Sequence, residues 1–302
     1  LALGVEKMSL LNTQGVTHAL SCCSYWPTEG AGGMTFPGLF AELGTAYQEK
    51  HGILDDQLRT MLAHVSALNY RNGIQNPLAH FGPGSLPDKN QLVTAEAILN
   101  LPDSGKGSNP MIAPPLRLHD CSLITDGAAA VVLTSSENAK SNFKHAVELS
   151  GIGHVTDRMM LNGRQGRLHE LQATKHAVTQ ACTEAGIGIG DLDFAEVHDC
   201  FTVNELLCAE AIGLSLPGRA GFDVMEGKFD PDSDCPINLS GGLKSKGHPV
   251  GATGASMHAL AYKQLTGAPI GVAAKGTPET AMTVNIGGSG VTNCVSVLRR
   301  IQ

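Results

Sequence analysis

Three clusters in this chain carry side chains able to do chemistry. The first is Glu196-Val197-His198-Asp199-Cys200-Phe201, set after an apolar run and before a helical one. A thiol near a helix N-terminus has its thiolate favoured by the helix dipole, and an imidazole there can donate a hydrogen bond to a developing oxyanion. The second runs from Asn238 to Gly254 and holds five glycines in 17 residues. Such a run lets backbone approach a ligand closely. It is not a phosphate loop, because Lys246 is followed by Gly247-His248 rather than by Ser or Thr. His248, held between Gly247 and Pro249, suits a general base. The third is Asn285-Ile286-Gly287-Gly288-Ser289-Gly290, whose glycine amides can point at a carbonyl oxygen. Each cluster alone also has a plain reading: a satisfied core histidine beside a buried thiol, or a glycine turn. The tripeptide recurs at His119-Asp120-Cys121, without the following Phe or helix, and there it reads as structural.

The elements around these clusters follow from periodicity. Leu192 to Val197 reads as a strand, 202–212 as a helix, and a further helix follows Gly254. Val147 to Gly153, Val272 to Ala274 and Ala281 to Ile286 read as strands. Leu168 to Gly186 reads as a helix ended by its glycine. Residues 1–9 read as a strand with its exit. The apolar run Ala128 to Leu133 fits a strand buried on both faces. Between them, 10–118 is rich in Pro, Gly, Asn and His, with amphipathic helices at 37–50 and 54–71 and loops at 82–89 and 101–110. Alternating strands and helices indicate an α/β fold with a mixed or parallel sheet.

Composition narrows the function. The chain has 302 residues, 42% hydrophobic, 16% charged and 36 of them glycine, with mean hydropathy near zero. Few charges and many glycines suggest a well-buried fold with many turns and an oligomer interface. A net charge of −7 argues against nucleic acid and against an anionic membrane surface, and no apolar run is long enough for a membrane span. The eight cysteines form no CxxC pair and no zinc spacing, so no metal is expected. Scattered cysteines fit a reducing, intracellular compartment: the cytoplasm, with mitochondrion or peroxisome as alternatives.

Taken together the three clusters are more specific than any one. His-Asp-Cys-Phe with Asn204-Glu205-Leu206, the Asn-x-Ser-Gly-Gly-x-x-x-x-Gly-His-Pro-x-Gly-Ala-Thr-Gly run and the late Gly-Gly-x-Gly resemble the thiolase superfamily. The His-Asp-Cys-Phe form resembles its sterol-carrier-protein-2 thiolase branch. Leu3 to Ser9 and Asp126 to Ala130 also resemble family segments. The resemblance implies a five-layer α-β-α-β-α fold of two βαβαβ halves. It assigns 1–9 and 119–145 to an incomplete first half, 10–118 to an inserted helical loop subdomain, and 146–302 to the second half. It implies an acetyl-CoA acyltransferase of lipid metabolism, acting on coenzyme A thioesters (acetyl-CoA or acyl-CoA) as substrates with no permanently bound cofactor, as a homodimer or homotetramer. His248 would activate the nucleophile and help one oxyanion hole, and His198 would complete that hole for the enolate. Cys200 would carry the α proton in place of a cysteine that many relatives have where Asn285 stands. The Gly287 amide would join a second hole, and Ser135 would touch the pantetheine arm.

In the family the nucleophilic cysteine precedes the Leu-Gly-Val-Glu-Lys-Met-Ser segment, which here opens the chain. Neither Cys22 nor Cys23 takes its place, since both follow that segment. Roughly 100 residues of the first half are expected to be missing, a domain-sized block. The chain as it stands is then expected to be unable to form an acyl-enzyme. The rival reading is a non-catalytic thiolase-fold protein that binds acyl-CoA or lipid, or serves as a scaffold. A third is a ketoacyl synthase, which would not need Cys200.

Overall fold

The computed structural model describes residues 1–85, 92–164 and 166–301. A four-stranded sheet forms the centre of the second half of the chain. Its order is β5 (Val147–Thr156), β8 (Thr292–Arg300), β7 (Thr280–Gly287), β6 (Phe194–Glu196). β5, β8 and β7 pair antiparallel, while β6 pairs parallel to β7. A second sheet pairs β1 (Ala2–Glu6) antiparallel with β4 (Gly127–Val131).

Helices separate and flank these sheets. α9 (Thr253–Leu265) packs on the two-stranded sheet and also reaches the larger one, where His258 bonds the Ser296 hydroxyl. α6 (Gln172–Ala185) covers the opposite face, with the Ala177 carbonyl close against Gly153 of β5. The layers therefore run helix, sheet, helix, sheet, an α/β arrangement. α6 ends on Gly186 in the left-handed conformation, φ 66°. That is the glycine stop its sequence implied.

The preceding region contributes α1 (Thr13–Ser21), α2 (Phe36–His51), α3 (Asp55–Gly73), α4 (Ala95–Leu99) and the short strands β2 (Met111–Ala113) and β3 (Leu116–Arg117). Asp55 and Asp56 lie in the first turn of α3, where the helix dipole favours them. α5 (Ser136–Asn142) follows β4. α7 (Thr202–Ile212) is buried on nearly every face and packs among α2, α3, α6 and α8 (Ala220–Met225). No helix among the described residues is long and apolar enough to cross a membrane.

Two expectations change. The run Ala128 to Leu133 is not buried on both faces. β4 stops at Val131, and Leu3 and Val5 of β1 share an exposed face with Ala128 and Ala130, flanked by exposed Val132 and Leu133. Only the other face meets α9. Val272 to Ala274 is not a strand, because the Gln264 side chain satisfies the Val272 carbonyl and the Ala274 amide in place of a ladder. The helix α1 had no periodic signal in the sequence. Of the loop expected at 82–89, residues 86–89 lie outside the described residues.

Candidate active site

β6 delivers its chain end to the site. Val197 leaves β6, and His198, Asp199 and Cys200 follow before Phe201 opens α7. The glycine-rich loop is bound to this segment carboxylate by carboxylate. Glu196 accepts from the amide and the hydroxyl of Ser240 at 3.0 and 2.5 Å. Asp199 accepts from the amides of Leu243 and Lys244 at 2.6 and 3.0 Å. Gly242 is required there: its φ is 58°, and a Cβ would lie 2.3 Å from the Asp199 carboxylate. Residues Gly242–Lys246 form one turn of π-helix, a form often found at functional sites.

These bonds bring His198 and His248 edge to face, with ring centroids 5.0 Å apart. Both rings are buried apart from one cavity. That cavity, about 380 Å³, is lined by His198, Cys200, His248, Asn285 and Gly287, together with residues of α1 and the segment 121–124. Four of the five site residues drawn from the sequence thus share one wall. The fifth, Ser135, caps α5 by accepting from the Asn138 amide and does not line the cavity.

The hydrogen bonds divide the labour between the two imidazoles. His198 Nδ1 accepts from the Ile286 amide at 3.3 Å. An amide can only donate, so the neutral ring carries its proton on Nε2. His248 Nδ1 meets the Thr253 hydroxyl at 2.7 Å, and that hydroxyl spends its own proton on the Pro249 carbonyl at 3.0 Å. His248 therefore donates from Nδ1, leaving Nε2 a bare acceptor. Burial and the nearby Lys246 ammonium push His248 down to about 3, so it is neutral across the physiological range. His198 is held well below the usual imidazole range by burial, then by His248 and Lys246. One donor and one base result from two identical side chains.

Cys200 is 1% exposed, and its thiol is raised well above the ordinary value by burial, then by Asp199 and Cys208. The helix dipole that the sequence offered as an activator is outweighed by desolvation. The resting group is a protonated thiol, able to deliver a proton. Of the other cavity thiols, Cys121 is buried and strongly raised by desolvation, while Cys23 and Cys294 are surface-exposed and are raised by partial desolvation. None is poised as a resting thiolate.

Sequence reasoning missed the residues that orient the rings. Thr253 sits in the same Gly-His-Pro-x-Gly-Ala-Thr-Gly run as His248, which was a usable signal. The Ile286 amide and Thr125, which accepts from the His248 amide at 3.3 Å, gave none. The wall supplied by Val16, Thr17, Leu20 and Cys23 was also invisible.

Residues 153–300 match the family described as Thiolase C-terminal domain-like. An acetyl-CoA acetyltransferase of Methanothermobacter thermautotrophicus is 36% identical over 300 residues, spanning 99% of this chain and 72% of that protein. Sterol carrier protein 2 of Bos taurus is 32% identical over 227 residues, 72% of this chain and 37% of that protein. Among solved structures, the Ltp2-ChsH2(DUF35) aldolase superposes with a TM-score of 0.73 at 21% identity, covering 86% of this chain and 62% of that one. A cavity built from the His-Asp-Cys-Phe and Gly-His-Pro segments, on a fold and sequence shared with these proteins, makes this chain a member of the thiolase superfamily.

Proposed function

We propose that the cavity moves a proton at the α carbon of an acyl-CoA thioester, as the enolate step of a thiolase-like acyltransferase. The observation that carries this is the opposite protonation of the two cavity nitrogens. The Nε2–H of His198 supports the negative oxygen of an enolate, and such a donor is worth about 10²–10³ in rate. Cys200 is the proton carrier. In the bond-breaking direction its thiol protonates the enolate carbon and becomes a thiolate. In the bond-making direction the thiolate removes the α proton, and the enolate oxygen takes up the charge. The bare Nε2 of His248 accepts the proton of an incoming thiol, whose sulfur then attacks a carbonyl. The names of the archaeal and bovine relatives support acyl-CoA and lipid chemistry.

The test is exchange of the α protons of acetyl-CoA with D2O, followed by NMR. It needs the proton carrier and the enolate donor but no acyl-enzyme. Exchange should rise about tenfold per pH unit from pH 7 to 9, as the Cys200 thiolate fraction grows. No step should appear near pH 6.5, since both histidines stay neutral. Binding of acetyl-CoA with no exchange at any pH would overturn the proposal and favour the non-catalytic reading.

A further inference from the structure

Lys244 is 1% exposed, deep in the glycine-rich loop, and its ammonium takes no part in the chemistry above. Among the described residues it pairs with no carboxylate. It donates to the Tyr70 hydroxyl at 2.8 Å and lies over the Tyr70 and Phe81 rings at 4.6 and 5.8 Å. Aromatic faces stabilise a desolvated ammonium. The Tyr70 hydroxyl in turn donates to His119 Nδ1 at 2.7 Å. His119 is pushed down to about 4 by burial and by Lys244, so its ring stays neutral, and the Tyr70 hydroxyl, already accepting from Lys244, has His119 Nδ1 as the partner for its own proton.

From here the chain of contacts closes on the site. Two residues after Asp120, the Ser122 amide donates to the Cys200 carbonyl at 2.9 Å, and Cys121 bridges Phe201. Asp120 accepts from the Thr202 hydroxyl at 3.0 Å, at the first turn of α7. At the other end, the Lys244 amide donates to Asp199, which stands between His198 and Cys200. α3 tightens the same loop. Asn72 and Asn76 donate to the Asn238 and Ser240 carbonyls, and Gly73 admits Ser245 at a distance where a Cβ would lie 1.9 Å from its hydroxyl.

We infer that Lys244, Tyr70 and His119 form a buried cross-link that positions Cys200 and His198, clamping the His198-Asp199-Cys200 segment between the glycine-rich loop and the His119-Asp120-Cys121 segment. None of the three lines the cavity, so they are positioning residues. The inference deepens the proposed enolate chemistry and rests on it for its kinetic consequence. Its structural content stands apart.

Tyr70→Phe deletes the shared hydroxyl and keeps both the packing and the aromatic face. In the folded variant, amide hydrogen exchange at Ser122 and Leu243 should rise at least tenfold, with Val295 and Val297 of β8 unchanged. Saturating α-proton exchange into acetyl-CoA should fall at least tenfold with KM unchanged. Lys244→Met should reproduce both effects if the first variant does not fold. The unmodified chain gives a third check: in native-state exchange, Ser122 and Leu243 should open as one unit. Unchanged Ser122 and Leu243 protection in a folded variant, or separate openings in the unmodified chain, would overturn the cross-link. If the unmodified chain exchanges no α protons, the proposed function fails while the amide measurement still judges the cross-link.

Discussion

The same tripeptide, His-Asp-Cys, occurs twice in this molecule, at 119–121 and 198–200, and the two copies touch. Both histidines accept a hydrogen bond at Nδ1, His119 from the Tyr70 hydroxyl and His198 from the Ile286 amide. Both aspartates have raised pKa values from burial. Both cysteines line the cavity. The copies differ in what surrounds the ring. His198 presents its remaining nitrogen to the cavity, while His119 lies outside the cavity wall, edge-on to Tyr70. The residues on either side decide this. Strand β6 and helix α7 flank the second copy and aim it at the sheet edge. The first copy is a single 3-10 turn leaving β3. Local chemistry is the same in the two copies, and the flanking elements turn one into a site and the other into its support.

Cys200→Ala against Cys121→Ala should break the symmetry most sharply. Losing the proton carrier should slow α-proton exchange by about 10²–10⁴. The Cys121 variant should stay within about threefold of the parent, as expected for a thiol that only fills space at the wall. Equal losses would make the cavity thiols interchangeable and end the comparison.

His198→Ala should cost about 10²–10³ in the same assay, the value of one oxyanion donor. His119→Ala should act first on stability, since it leaves the Tyr70 hydroxyl without its buried acceptor, a loss of about 1–3 kcal/mol in a chemical melt. A His119 variant that is fully stable yet loses as much α-proton exchange as His198→Ala would assign the chemistry to the wrong copy.

Acyl transfer supplies a further contrast. Because desolvation raises all four cavity thiols, strongly for the buried Cys200 and Cys121 and in part for the exposed Cys23 and Cys294, mass spectrometry after incubation with acetyl-CoA should find none of them stoichiometrically acetylated. A full equivalent on Cys23 would show that the α1 side of the cavity holds the nucleophile.

The smallest effect concerns acidity around Asp199. Burial raises Asp199 to about 6 and Glu205 to about 8, so the folded chain holds protons that the unfolded chain releases. Stability from these groups is full below their unfolded pKa values and is lost as pH rises toward about 8. The slope is at most about 1.4 kcal/mol per pH unit for each proton. Glu205→Gln should flatten the fall in melting temperature between pH 5 and 8. A slope unchanged in that variant would place the protons elsewhere.

Much of the site could be read from the chain before its fold. His198 and Cys200 follow the end of β6, His248 follows Gly247 in the glycine-rich loop and Gly287 ends β7, and such places are legible as spacing. The long helices α2, α3 and α6 announced themselves through periodic apolar positions. What stayed hidden depends on neighbours distant in sequence. Thr13 to Ser21 has few apolar residues and becomes helical against α2 and the cavity. Val272 to Ala274 has a strand's composition, yet Gln264 takes its hydrogen bonds. The tautomers of His198 and His248 follow from an amide 88 residues away and from a hydroxyl whose own proton is already committed.

One arrangement has a mechanical side. Thr253 is the first residue of α9 and also the acceptor that fixes the proton of His248. The body of that helix is wedged between two sheets. A slide of one residue along its axis, about 1.5 Å, would break a 2.7 Å hydrogen bond and free the imidazole to exchange its proton between nitrogens. The basicity of one nitrogen in the cavity is thus set by the seating of a rod some 13 residues long, and whatever loads that rod tunes the base.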